Sequence, residues 1–293
     1  MLAGIQDRWR PLRAELFPRV VLLDLSDSLL LRGQPLRGDR PAGPVWSAPV
    51  PAQTCRDGVP IAREALGDFI GDLLLEHSSP DAGLVLAIPQ EASFWRVLEW
   101  PGGEEPEEPL EELLERAPDL GWPQPISECV LDLQPLPGTP GASLVVGAAR
   151  QTVEAWIEVI AIAGGSLRHL IPAPACLATA LEPRLQVAEP GELLALLQPD
   201  GRTTQLLVWR DGCPEFQRSL PLDPQALLPE LEQALQFCRQ RFRPPGLRLL
   251  LAEGLAWVPQ LQERLPELAL ELFDPAPWGS LALQGLALLE LAR

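Results

Sequence analysis

Residues 20–34, "VVLLDLSDSLLLRGQ", decide how the chain is read. Val20, Val21, Leu22 and Leu23 run without a break into Asp24. The chain then passes Ser26 and Ser28, and Leu29, Leu30 and Leu31 lead out again. A continuous apolar run marks a strand covered on both faces, and small polar residues mark a turn. Residues 19–25 and 28–32 therefore read as paired strands with the chain turning at Ser26. The outline returns in the second half as "LLALLQPDGRTTQLLVWRDGCPEFQRSLP". It gives a strand over 193–198, a turn at Pro199, Asp200 and Gly201, a strand over 203–209, a turn at Asp211 and Gly212, and a third strand ending at Leu220.

Between these hairpins the pattern alternates. "RGDRPAGPVWSAPVPAQ" reads as a loop, and the helix after it carries Ile61, Ala65, Phe69, Ile70, Leu73 and Leu74 at helical spacing. "GLVLAIP" (83–89) is an interior parallel strand. "SFWRVLEWP" sets Phe94, Arg96, Leu98 and Trp100 against Trp95, Val97 and Glu99, a strand with two unlike faces. A short acidic helix follows, opened by Pro109 and striped by Leu110, Leu113 and Leu114. Then come two strands and the helix "QTVEAWIEVIAIAGG", closed by Gly164 and Gly165. Residues 90–163 thus form a strand-helix-strand-strand-helix insertion. "SLRHLIPAPACLATAL" returns to the host sheet. After the second hairpin, Asp223 caps a helix with Pro224 at its first position and Leu227, Leu231, Leu235, Cys238 and Phe242 on one face. A buried strand, a helix, a strand and a largely apolar final helix complete the alternation.

The chain has 293 residues, enough for about two domains, and 46% of them are hydrophobic. There is no Lys and no Tyr, which with the abundance of Leu, Ala, Pro, Gly and Arg is a compositional bias and carries no functional signal. A formal charge of −17 repels phosphate backbones and anionic lipid, so nucleic-acid binding is not expected. The five cysteines are scattered without metal or redox spacing and are expected to be reduced core residues. The first residues lack the apolar block of a signal peptide, and no stretch is long enough to span a bilayer. Membrane work would therefore require a partner to hold the protein there.

This duplicated order, with a small module inserted in the first half, resembles PilM, the cytoplasmic inner-membrane-platform protein of type IV pili, and the cytoplasmic domain of GspL in type II secretion. "VVLLDLSDSLLL" stands at the first phosphate loop. "SFWRVLEWP" and "LVVGAARQTVEAWIEVIAIAGGSLRHLIPAPACLATAL" are similar to the family's most recognisable block, "LLVWRDGCPEFQRSLP" to the second phosphate hairpin, and "LLLAEG" to the adenosine-side strand. The resemblance implies an α/β chain with a duplicated actin-like, ribonuclease H-like ATPase fold. Its parts would be an N-terminal extension (1–18), a first actin-like subdomain (19–89 and 164–188), an inserted SHS2-like subdomain (90–163) and a second actin-like domain (189–293).

In that family the first phosphate turn carries a glycine, here Ser26, and its lysine falls at or near Leu31. A phosphate turn lacks a Cβ so that backbone N–H groups can close on the oxygens. The second loop's metal-facing aspartate and following glycine fall at Gln198 and Asp200, with Gly201, Thr203 and Thr204 after them. The adenosine strand ends Glu253-Gly254 in place of Gly-Gly. Asp24, Ser26, Ser28, Asp200, Gly201, Thr203, Thr204 and Gly254 are accordingly candidate remnants of nucleotide loops. Their erosion points to no catalysis and no cofactor. The alternatives are an active actin-like ATPase using ATP and Mg²⁺ or a sugar-kinase-like enzyme. Asp24 and Asp200 read better as turn formers than as a Mg²⁺ pair, and His77 and His169 read as structural. No metal site is expected. PilM-like proteins bind the N-terminal cytoplasmic peptide of PilN, a single-pass membrane protein, and link it to assembly motor ATPases. The resemblance implies the same partners here, without membrane insertion by this chain, and a cytoplasmic place at the inner membrane. The groove would be bordered by Phe94, Trp95, Val97, Trp100, Val145, Val146 and Arg150. The glutamates from Glu104 to Glu115 read as a solvated face, or as a surface for a basic segment.

Overall fold

The structure, a computed structural model, describes residues 20–37, 40–116, 125–136, 139–252, 257–274 and 276–291. The expected extension 1–18, Glu253 and Gly254 lie outside these residues.

The first lobe holds β1 (Val20–Asp27), β2 (Leu30–Arg37), β3 (Arg40–Pro41), β4 (Trp46–Pro49), the short pair β5 (Cys55–Arg56) and β6 (Val59–Pro60), α1 (Arg63–Glu76) and β7 (Gly83–Ile88). The insertion supplies β8 (Phe94–Glu99), α2 (Pro109–Arg116), β9 (Cys129–Pro135), β10 (Ala142–Ala149) and α3 (Arg150–Ile162), and the chain returns as β11 (Ser166–Pro172) and α4 (Ala173–Gln186). The second lobe holds β12 (Leu193–Pro199), β13 (Thr203–Arg210), β14 (Cys213–Pro221), α5 (Pro224–Phe242), β15 (Leu247–Ala252), α6 (Val258–Arg264), β16 (Ala269–Phe273) and α7 (Leu281–Leu291).

The lobes share one topology. The first sheet runs β11-β7-β1-β2-β3, with β4 also on β2, and the second runs β16-β15-β12-β13-β14. In each, the opening strand pairs antiparallel with its hairpin partner and parallel with the strand after the first helix. β7 is buried at every residue, and β12 over its first five, because helices cover both faces.

Side-chain clusters resolve the molecule into stacked layers. On the outer side of the first sheet, Val21, Leu23 and Leu86 pack with Leu66 and Ile70 of α1 and Trp156 and Val159 of α3. On the outer side of the second, Ala195, Leu197 and Leu249 pack with Leu227, Leu231 and Leu235 of α5. Between the two sheets lie α4 and α7: Cys176, Leu177, Leu181, Leu283 and Leu286 share one cluster with Leu22 and Val85 of the first sheet and Leu196, Leu207 and Leu250 of the second. This position explains why the last helix is apolar nearly all round. Gly285 makes the layer thin enough. A Cβ there would sit 1.9 Å from the Cys176 carbonyl oxygen.

The inserted sheet is antiparallel, ordered β8-β10-β9. One face is closed by α2 through Leu113, against Leu98, Trp100 and Val145. Trp100 Nε1 donates to Ser143 Oγ (2.8 Å), which donates to Glu105 Oε2 (2.9 Å). α3 turns its apolar face away to the first lobe, where Trp156 Nε1 donates to the Gly58 carbonyl (3.0 Å).

Several expectations are corrected. The segment expected as a loop contains β3 and β4, both paired with β2. The Trp46 ring lies over Gly33, within 1.9 Å of where a Cβ would be, and stacks on His77 at 4.8 Å between centroids. The Pro-rich composition hid a strand because prolines are tolerated at sheet edges. The buried face of α1 is Leu66, Gly67, Ile70, Leu73 and Leu74, while Ile61 is 49% exposed. The helix is turned toward α3, which Gly67 and Gly71 admit closely: Cβ atoms there would meet Ile162 at 2.5 Å and Ala163 at 3.2 Å. In α2 Leu113 is buried, while Leu110 and Leu114 are each 45% exposed. The first hairpin does not turn at Ser26. β1 extends to Asp27 and the turn is Ser28–Leu29, because one extra residue of β1 bulges between Asp24, opposite Arg32, and Asp27, opposite Leu30. All five cysteines are free, and burial pushes the thiols of Cys55, Cys213 and Cys238 up to about 11.

Candidate functional site

The two hairpin tips meet face to face at the junction of the lobes. At the first tip, Asp24 is fully buried. Its Oδ1 accepts the Ser26 N–H across the bulge (2.7 Å), and its Oδ2 accepts the Ser280 hydroxyl (2.6 Å). Ser280 Oγ in turn accepts from Leu283 N (3.0 Å), so the carboxylate of β1 steadies the cap of α7. Arg32 NH1 stands 3.8 Å from Asp24 Oδ2 and its NH2 3.6 Å from Asp27 Oδ2. The family resemblance places the lysine of the first phosphate loop at or near Leu31. Leu31 is fully buried, and the cation is one residue further on, engaged with the tip's own aspartates. Burial raises the Asp27 carboxyl above the usual range, against the lowering effects of the Leu29 N–H and of Arg32. Ser26 is also buried, and its Oγ finds no partner among the described residues.

At the second tip Asp200 is buried and its carboxylate is saturated. Oδ1 accepts from the backbones of Arg202 (3.0 Å) and Thr203 (2.7 Å), and Oδ2 from Thr203 Oγ1 (2.7 Å) and Gln205 Nε2 (2.7 Å). Burial works against the charge, yet the donors from Gln205, Thr203 and Arg202 outweigh it and hold the carboxyl below its usual value. Thr204 is buried in β13, and Gln198 turns its amide to the Pro199 carbonyl (3.2 Å).

The tips bond directly. Ser28 N and Ser28 Oγ both donate to the Asp200 carbonyl, at 2.8 and 3.1 Å. Gly201, at φ +85°, permits the approach, since a Cβ there would lie 2.3 Å from Asp27 Oδ1. The structure therefore brings Asp24, Ser26, Ser28, Asp200, Gly201, Thr203 and Thr204 into one junction. Among the described residues no group of three or more His, Cys, Asp or Glu is placed to hold a metal. Residues that sequence reasoning missed are Gln205, Gln90, Glu91 and Ser280. A glutamine in the otherwise apolar run "QLLVW" is the signal that points to the first of these.

The candidate groove residues divide between two faces of the inserted sheet. Val145 and Trp100 are buried in its core under α2. Arg150, at the start of α3, donates to the Cys129 carbonyl (3.3 Å). Phe94 packs over Gly147, whose added Cβ would be 2.4 Å from the ring. On the other face, Trp95 lies opposite Val146 and Val97 opposite Leu144, with Val130 alongside. Val97 is 36% and Val130 41% exposed, and α2 does not cover this face. Trp95 Nε1 donates to Gln217 Oε1 of β14, which joins the insertion to the second lobe.

Two lobes of one strand order, each opening with a hairpin whose tip faces the other, and an interior pair of helices define the actin-like ATPase fold. The chain is similar to a chain of the PilM-PilN type IV pilus biogenesis complex, with a TM-score of 0.72, 23% identity and coverage of 93% of this chain and 98% of that one. A protein from Bacteroides thetaiotaomicron VPI-5482 with actin-like ATPase fold and unknown function matches with a TM-score of 0.58, 10% identity and coverage of 94% and 97%. The cytoplasmic domain of Epsl, an inner-membrane component of the type II secretion system of Vibrio cholerae, gives 0.48, 16%, 93% and 94%. No protein-family model matches the sequence, and no curated protein matches it.

Proposed function

We propose that the chain is a PilM-like scaffold of a type IV pilus or related secretion platform. It works in the cytoplasm at the inner membrane by binding the N-terminal peptide of a PilN-like single-pass membrane protein, in reach of assembly motor ATPases, and it neither binds nor hydrolyses ATP. Among the described residues no helix is long and apolar enough to cross a membrane, and in this reading the partner supplies the attachment.

The observation that carries the reading is the face of the inserted sheet that α2 leaves open, apolar along β8 and β10 and edged by Asp132 and Gln134 of β9, on a fold that matches a chain of the PilM-PilN complex over nearly its full length. Trp95, Val97, Leu144, Val146 and Val130 offer a shallow surface on which alternate side chains of an extended peptide find apolar contacts. Absence of catalysis is supported by the junction itself. A metal-bound triphosphate needs free carboxylate oxygens and an open turn. Here the oxygens of Asp24 and Asp200 are taken by the chain's own donors, and the tips are 2.8 Å apart, backbone to backbone. These residues do not fit ATP with Mg²⁺.

The test is calorimetric titration with the partner's N-terminal peptide. We expect saturable binding by the wild type and a loss of about tenfold or more for Val97→Asp, because a charge placed in an apolar contact is left unpaired. Equal binding by both proteins moves the site elsewhere, and no binding by the wild type refutes the scaffold reading.

A further inference from the structure

Gln205 sits where the lobes join and is 3% exposed. Every part of its amide is in use. Oε1 accepts from Gln90 Nε2 of the first lobe (2.9 Å) and Ser219 Oγ of its own (3.0 Å). Nε2 donates to Asp200 Oδ2 (2.7 Å) and Thr203 Oγ1 (3.0 Å) in the second lobe and to Glu91 Oε1 in the first (3.0 Å). Beside it run the two bonds from Ser28 to the Asp200 carbonyl, and further out Trp95 bonds Gln217.

We propose that Gln205 is the centre of a built-in clasp that, beside the apolar layer of α4 and α7, holds the hairpin tips of the two lobes closed through the chain's own polar groups and requires no bound ligand. The physical reason is cooperative. Separating the lobes takes Gln90 and Glu91 from Gln205 and the Asp200 carbonyl from Ser28 in one motion, and in a buried network each lost partner leaves a polar group unpaired until water enters. Gln205 is thus a positioning residue. It bonds Asp200, which receives the first tip, and it bonds the turn after β7 that leads into the inserted sheet. The clasp would hold Trp95 and its apolar face at a fixed place against β14. This inference concerns the lobes and does not depend on which partner peptide binds.

The Ser28 backbone N–H reads the clasp directly, because its acceptor is on the other lobe. Amide exchange measured by NMR on the full chain, with and without ATP and Mg²⁺, should show Ser28 protected and unchanged by the nucleotide. Gln205→Ala and Gln90→Ala should each lower that protection by about tenfold or more while leaving amides of β7 and β15 as they were, the mark of a local opening. Gln90→Ala decides the matter if Gln205→Ala fails to fold, since Gln90 sits on the single helical turn Gln90–Ala92 and its side chain gives the network one bond, to Gln205 Oε1. Three results would overturn the proposal: a freely exchanging Ser28 in the wild type, protection that appears only with ATP and Mg²⁺, or full protection in both variants.

Discussion

Asp200 is held by more donors than a turn residue requires, and its chemistry can be tested by removing only its charge. In Asp200→Asn the side chain keeps one acceptor oxygen and turns two N–H groups toward donors, including Gln205 Nε2. Leaving buried donors unpaired costs about 1–3 kcal/mol. Because the folded carboxyl lies below its ordinary value of 3.8, its contribution is fully present above that value and is lost as pH falls through the folded value. Chemical denaturation should therefore show Asp200→Asn less stable than wild type by about that amount at pH 7, with the gap narrowing in acid below 3.8. Asp27 acts in the opposite sense. Burial raises its carboxyl, so charging it as pH rises through the raised value weakens the fold.

At the level of elements, the interior helix pair makes the sharpest prediction. On an isolated helix, Gly285→Ala would gain about 1 kcal/mol. In α7 the new methyl would fall 1.9 Å from backbone of α4, so the helices must separate and the sheets on both sides lose contact. Overpacking of this kind costs about 1–3 kcal/mol and exceeds the propensity gain. Thermal unfolding should show a lowered midpoint for Gly285→Ala, and an unchanged or raised midpoint would mean that the α4–α7 contact yields easily. The cap of α5 illustrates what local sequence does reveal: Asp223 accepts from Ala226 N (3.1 Å) with Pro224 at the first position, as the residues alone suggest. The paired hairpins, β7 and the insertion's strands were legible for the same reason. What was illegible depends on distant partners. The face of α1 is set by α3, and β4 exists because Trp46 covers Gly33. In the site, Asp24 and Asp200 stand out in the sequence. Their neighbours do not, because Gln90 meets Gln205 across 115 positions and Asp24 meets Ser280 across 256.

The molecule as a whole is acidic and two-lobed, its lobes joined by the apolar layer of α4 and α7 and by the polar contacts of the hairpin tips. A ligand that binds only the folded state raises the unfolding midpoint, by a stabilisation of about 2.7 kcal/mol at a hundredfold excess over its Kd. In a thermal-shift experiment, ATP with Mg²⁺ should leave the midpoint where it is and the partner's N-terminal peptide should raise it. The reverse pattern would identify the chain as a nucleotide-dependent member of its fold class.

The place of α7 also shapes how the chain comes into being. Residues Leu281 to Ala287 fill the layer that seals Leu22 and Val85 of the first lobe. Those strands are synthesised long before the helix that covers them. At ordinary translation rates the emerging polypeptide waits on the order of ten seconds between β11 and α7. During that interval α4 alone covers the inner side of the first lobe, and the greasy strip that α7 will seal stays bare until the last helix emerges.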